Sequence, residues 1–186
     1  MTQPPSRLLS AVKRATQHGW SDPVSKEIDQ AAKVSTPDDL ATAATRLAQL
    51  CPKPDAASLT SSPCRTVERL SVQAAVKRNM PQLQKVYDDA RLRDGTLEAM
   101  VVVHVTTNTN GEPLRVEAKV QRSGESVVEK RPFSQQQAER VLREDIEKIF
   151  ETMKFTNLSG QPMILDIPIR FHLTPKSAPK APSKRP

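Results

Sequence analysis

The sequence predicts an α+β fold: helix–strand–strand–helix–strand from about residue 66, with a small helical region in front. Three observations carry this. Two runs of alternating apolar residues, 97–106 and 114–121, flank an Asn110-Gly111 turn signal. A strongly amphipathic stretch, 134–153, follows them. A third alternating run, "MILDIPIRFHL", closes the folded part.

The elements follow in order. Residues 6–18 suit a short helix with Leu8, Leu9, Val12 and Ala15 on one side. Next, "SDPVSKEIDQAAKV" offers Ser21 or Asp22 as a cap and Pro23 at a first-turn position. "STPDDLATAATRLAQL" repeats the pattern, with Thr36 before Pro37 and a stripe of Leu40, Ala43, Ala44, Leu47 and Leu50. Residues 1–50 are thus two or three small helices with thin, alanine-rich stripes, and Trp20 is their expected anchor. Such a unit needs a partner surface or a covalent tie to be stable. Residues 51–65, rich in Pro and Ser, read as a linker. Cys51 and Cys64 bracket it. Either they are unrelated thiols, or a disulfide closes the loop, stabilising by about 3 kcal/mol through lost chain entropy and requiring an oxidising compartment.

"VERLSVQAAVKRNMPQLQKVYDDARLR" is helical, with Leu83, Val86, Tyr87 and Ala90 in one stripe. Pro81 is expected to kink it or to start a second part capped by Asn79. In the following hairpin Leu97, Ala99, Val101, Val103 and Val105 share a face, opposite Met100, Val102, His104 and Thr106. Leu114, Val116, Ala118 and Val120 are the inward side of the returning strand; Arg115, Glu117, Lys119 and Gln121 point to solvent. In "FSQQQAERVLREDIEKIFETMKF", Ser134 and Gln137 have capping-box spacing. Ala138, Val141, Leu142, Ile146, Ile149, Phe150 and Met153 form its stripe. Residues 175–186 lack apolar content and read as a disordered basic tail.

The hairpin is antiparallel, and the helical crossover returns the third strand antiparallel to the first. The simplest sheet is three-stranded and antiparallel, in the order second–first–third, with helices on one face. The third strand then lies at an edge, where Pro168 is tolerated if its missing amide faces outward. A free edge is either protected against pairing or used to receive an extended peptide or a second copy of the chain. The residues for such use are Ile164, Asp166, Pro168, Arg170 and His172.

Composition excludes several classes of function. Net charge is +7, but residues 175–186 contribute +4 of it without one acid. A nucleic-acid binder is expected to carry a basic stripe on a folded face, often with aromatics, which here make up 3%. The tail alone leaves open an affinity for acidic polymers. The longest apolar run, "MVVVHV", is far below the roughly 20 residues of a membrane span, and the N-terminus does not read as a secretory signal. His18, His104 and His172 are far apart in sequence, although His104 and His172 share the outer face if their strands pair. Two cysteines do not make a zinc site. No hydrolase, P-loop or dinucleotide signature is present, and "RSGESVV" reads as a loop. Asp88-Asp89 and Glu144-Asp145 fall on polar helix faces. A non-enzymatic protein without metal or cofactor is expected.

The ordered set "MPQL…VY", "G-x-L…V-V-V-V", "NGEPLRVEAKV" and "IPIRF" resembles the C-terminal domain of TonB-type energy transducers, closest to the AgmX/PglI branch, over residues 72–174. The resemblance implies a domain spanning 66–174 that acts in the periplasm. It implies coupling to an inner-membrane, proton-driven motor complex and engagement of an outer-membrane or envelope protein. It also implies strand addition, with residues 163–173 as the receiving edge. The alternative is a soluble assembly or adaptor protein that reuses the fold without energy transduction and makes its main contacts through the N-terminal helices; the alternative location is the cytoplasm.

Overall fold

The computed structural model describes residues 6–51, 62–122, 132–158 and 161–171. Its helices are α1 (Arg7–His18), α2 (Asp22–Val34), α3 (Pro37–Leu47), α4 (Ser62–Arg93) and α5 (Phe133–Glu151). Its strands are β1 (Ala99–Thr107), β2 (Pro113–Arg122) and β3 (Ile164–Arg170). The sheet is antiparallel throughout, in the order β2-β1-β3, as the sequence predicts.

Helix starts follow local chemistry. Ser6 accepts the Leu9 N–H and Thr36 accepts the Asp39 N–H, each satisfying an amide that the helix itself leaves orphaned. Ser21 stands at the head of α2 without a side-chain bond. The capping box expected at Ser134 does not form. α5 begins one residue earlier, and the Pro132 carbonyl takes the Gln135 and Gln136 amides.

α4 departs most from expectation. It begins at Ser62, so the last residues of the stretch read as a linker belong to it, while 52–61 lie outside the described residues. It also runs through Pro81 without interruption. Asn79 donates its side-chain amide back to Ala75 O at 2.9 Å instead of capping a second helix. Tertiary packing on both ends outweighs the local cost of an internal proline.

α4 is shared by two cores. Val67, Leu70 and Ala74 pack with buried residues of α1–α3. Leu83, Tyr87 and Ala90 pack with the sheet and α5. Ala74 and Leu83 are nine residues apart, about two and a half turns, so the two stripes lie on opposite sides of the helix. Val72, Val76 and Met80 extend the second stripe backward until it overlaps the first in height.

The helical unit is fastened to α4 by several devices. Lys77 Nζ donates to the carbonyls of Ala32, Lys33 and Ser35 at 3.1, 2.9 and 2.9 Å, closing the C-terminal end of α2. Arg69 pairs with Asp29 and Arg78 with Asp38, both at exposed positions worth little singly. Cys51 and Cys64 form a disulfide, with Cα atoms 5.4 Å apart, between the 3-10 turn after α3 and the first turns of α4. Trp20 is only partly buried against this core.

At the hairpin, Gly111 has φ +79°, and an added Cβ would meet Phe155 O at 1.7 Å. Only glycine fits that close approach. A register shift between Thr106 and Thr107 leaves Leu114 unmatched on β2. It is a β-bulge, and it turns Leu114 to solvent at 68% exposure, against its expected place on the inward face.

Candidate functional site: the sheet edges and the open face

The helices cover one face of the sheet. Val101, Val103, Val105, Ile167 and Ile169 are buried beneath them. Phe171 continues this side, its ring stacked on Tyr87 at 4.4 Å and 5°. The Tyr87 hydroxyl donates to Leu97 O at 2.9 Å. Burial is the chief cause that pushes its phenol above the usual range, so it remains a donor. The end of β3 is thereby clamped to α4.

Among the described residues no element covers the other face, and register decides what meets on it. Thr107 N–H donates to Met163 O at 2.9 Å, which sets the parity of the β1–β3 ladder. Val105, Val103 and Val101 exchange backbone bonds with Leu165, Ile167 and Ile169, while Val102–Pro168 and His104–Asp166 are the close, non-bonded pairs. His104 Nδ1 accordingly lies 2.5 Å from Asp166 Oδ1. On its other side His104 is in register with Glu117 of β2, which pairs with Arg115 along its own strand. A row of Glu117, His104 and Asp166 thus crosses the open face. Among the described residues no group of three His, Cys, Asp or Glu could hold a metal ion. His172 lies outside the described residues, so its expected approach to His104 does too.

The same parity settles the edges. Ile164, Asp166, Pro168 and Arg170 turn their main-chain groups away from β1. The nitrogen of Pro168 therefore faces outward, and no ladder bond to β1 is lost. All four side chains are exposed, Ile164 to 79%. The structure brings these four together along one margin.

On the opposite margin Val116, Ala118 and Val120 point their main-chain groups outward by the same count. There the Ala118 N–H donates to Glu147 Oε1 of α5 at 2.9 Å. An open groove of about 520 Å³ runs between this edge and Gln136, Glu139, Arg140 and Arg143. Sequence reasoning missed it. Glu147 falls on the polar side of a helix, and nothing local marks which strand amide it reaches.

A smaller cleft, about 380 Å³, lies where α3, α4 and residues 154–156 meet. Its polar rim is engaged within the protein: Ser71 donates to Thr156 Oγ1, Arg78 pairs with Asp38, and Lys154 lies 3.6 Å from Glu112. The Asn108 side chain, and after it Lys154, holds the Glu112 carboxyl below its usual range. Among the described residues no helix is long and apolar enough to cross a membrane. Compared with family models, curated proteins and solved structures, the chain matches none.

Proposed function

We propose that this chain is a non-enzymatic protein-binding module that receives an extended segment of a partner protein along the outer margin of β3. The observation that carries the reading is the parity of β3. Its outward main-chain groups are presented at an exposed margin, while its inward side chains and Phe171 are anchored in the core. A rigid strand with a free side is a template for strand addition, in which main-chain bonds supply affinity. Pro168 does not abolish the template. Its carbonyl still accepts, and the N–H groups of Ile164, Asp166 and Arg170 donate on either side of it. The missing donor instead marks a register, because the partner carbonyl opposite Pro168 must be left to water. Asp166 and Arg170 alternate in sign along the exposed side and would favour a segment with the opposite alternation.

The resemblance to TonB-type domains supports the same edge, and with it an envelope partner and a periplasmic setting.

A test follows from parity. Asp166→Pro removes an outward donor without touching the β1 ladder, whereas proline at Ile167 or Ile169 would break that ladder. Extended peptides enriched on the wild-type protein from a displayed library are expected to bind Asp166→Pro at least about tenfold more weakly, the loss of one or two hydrogen bonds. Asp166→Asn serves as the side-chain control, and circular dichroism reports the fold. Enriched peptides that bind a folded Asp166→Pro as tightly as the wild type would dismiss the β3 margin.

A further inference from the structure

Both margins of the sheet lack one available amide near the centre, for different reasons. On β3 the lack is covalent, since Pro168 has no amide hydrogen. On β2 it is a side chain, the Glu147 carboxylate on the Ala118 N–H. A proline cannot be withdrawn. A carboxylate can rotate away, and Arg143 Nε stands 4.0 Å from Glu147 to receive it. The β2 margin is closed reversibly.

The sequence of β2 specifies what fits there. About Ala118 it is self-complementary when read antiparallel: Val116 matches Val120, Glu117 matches Lys119, and Arg115 matches Gln121. In a two-fold pairing centred on Ala118, the outward residues Val116, Ala118 and Val120 meet Val120, Ala118 and Val116 of the second copy. Each gives its N–H and takes one in return. On the open face Glu117 stands opposite Lys119 of the second copy, and Lys119 opposite its Glu117. Such opposite-charge pairs are the favourable cross-strand arrangement, and like charges directly opposite are not. β3 has no equivalent, because any two-fold register that includes Pro168 forfeits a bond. The open groove beside β2 leaves room for the incoming strand.

We propose that the outer margin of β2 is a homodimerisation edge, centred on Ala118 and held shut in the monomer by Glu147. The dimer continues one sheet through two copies and leaves both β3 margins free. It is therefore independent of the β3 reading.

Sedimentation velocity on the full chain, across a wide concentration range, tests this. The wild type is expected to show a reversible monomer–dimer equilibrium, shifted toward dimer in Glu147→Ala. Lys119→Glu sets two like charges against each other across the axis and should weaken the dimer about tenfold or more. The exchanged variant Glu117→Lys/Lys119→Glu restores complementarity and should restore the dimer. Ala118→Pro should abolish it, and Asp166→Pro should leave it unchanged. A wild type and a Glu147→Ala variant that both remain monomeric would overturn the proposal. So would a dimer indifferent to Lys119→Glu, or a charge exchange that fails to restore what the single reversal lost.

Discussion

The two cores joined by α4 are built from different materials. Among the described residues, seven of the fourteen buried in the helical core are alanine. In the sheet core, two of sixteen are, and Tyr87, Phe150, Phe155, Met153 and branched aliphatics fill the rest. Alanine lets helices approach closely but removes little apolar area from water, whereas each large side chain contributes on the order of 1.5–3 kcal/mol on burial. The helical half therefore depends on ties: a disulfide, a lysine across a helix end and cross-helix ion pairs. The sheet half stands on packing. A site that must hold a strand edge rigid is better placed on the second kind of core.

The largest way to break this contrast is Phe150→Ala. Phe150 is fully buried at the centre of the sheet core, and its truncation should cost about 3–5 kcal/mol. The measurement is denaturant unfolding. No alanine in the helical core has a side chain of that size to lose.

Replacing both Cys51 and Cys64 with alanine should cost about 3 kcal/mol. The loss should fall unevenly. Amide exchange should accelerate in α1–α3 and the first half of α4, while β1 and β3 keep their protection. Equal acceleration in both cores would show that α4 transmits stability without division.

Lys77→Met keeps the aliphatic stem and removes the ammonium from three carbonyls at the end of α2, of which Ala32 O keeps the Ser35 N–H. A loss of about 2 kcal/mol is expected, read as a lower thermal midpoint with the sheet-core near-ultraviolet signal of Tyr87 unchanged below the transition.

The smallest effect concerns pH. Burial is the chief cause that pushes the Glu68 carboxyl above its ordinary range, against the Leu158 amide and Arg65, which lower it. With a raised folded value, the unfolded chain loses its proton first. Stability from this group is thus full below the unfolded carboxylate range of about pH 4 and is lost as pH rises through the folded value. Glu68→Gln removes the titration. Its advantage over the wild type should be absent in acid and grow toward neutral pH. An advantage that instead grew in acid would reverse the assignment.

Much of the fold was legible in the sequence, for identifiable reasons. Period-two alternation with Asn110-Gly111 between the runs leaves few ways to build the hairpin. A helical crossover then leaves the third strand at the flank of the first. The errors are equally physical. Leu114 alternates correctly but sits at a bulge, which alternation cannot register. Ser134 has cap spacing, but Pro132 ends the preceding chain in a way that starts the helix sooner. Asn79 reads locally as the cap of a second helix at Pro81, and packing at both ends of α4 carries one helix through instead.

The candidate site divides in the same way. That Ile164, Asp166, Pro168 and Arg170 share one side of a strand follows from a period of two. That His104 meets Asp166, that Glu147 reaches Ala118, and that the Pro168 nitrogen faces outward all depend on register across strands far apart in sequence.

By itself, then, the sequence determined the elements, their order and which face of each strand is apolar, because these follow from backbone geometry within a few residues. Only the tertiary structure decided which amides remain unpaired, how α4 presents opposite sides to two cores, and which sheet margin a side chain closes. Those properties belong to pairs of residues brought together by folding, and no single stretch of chain carries them.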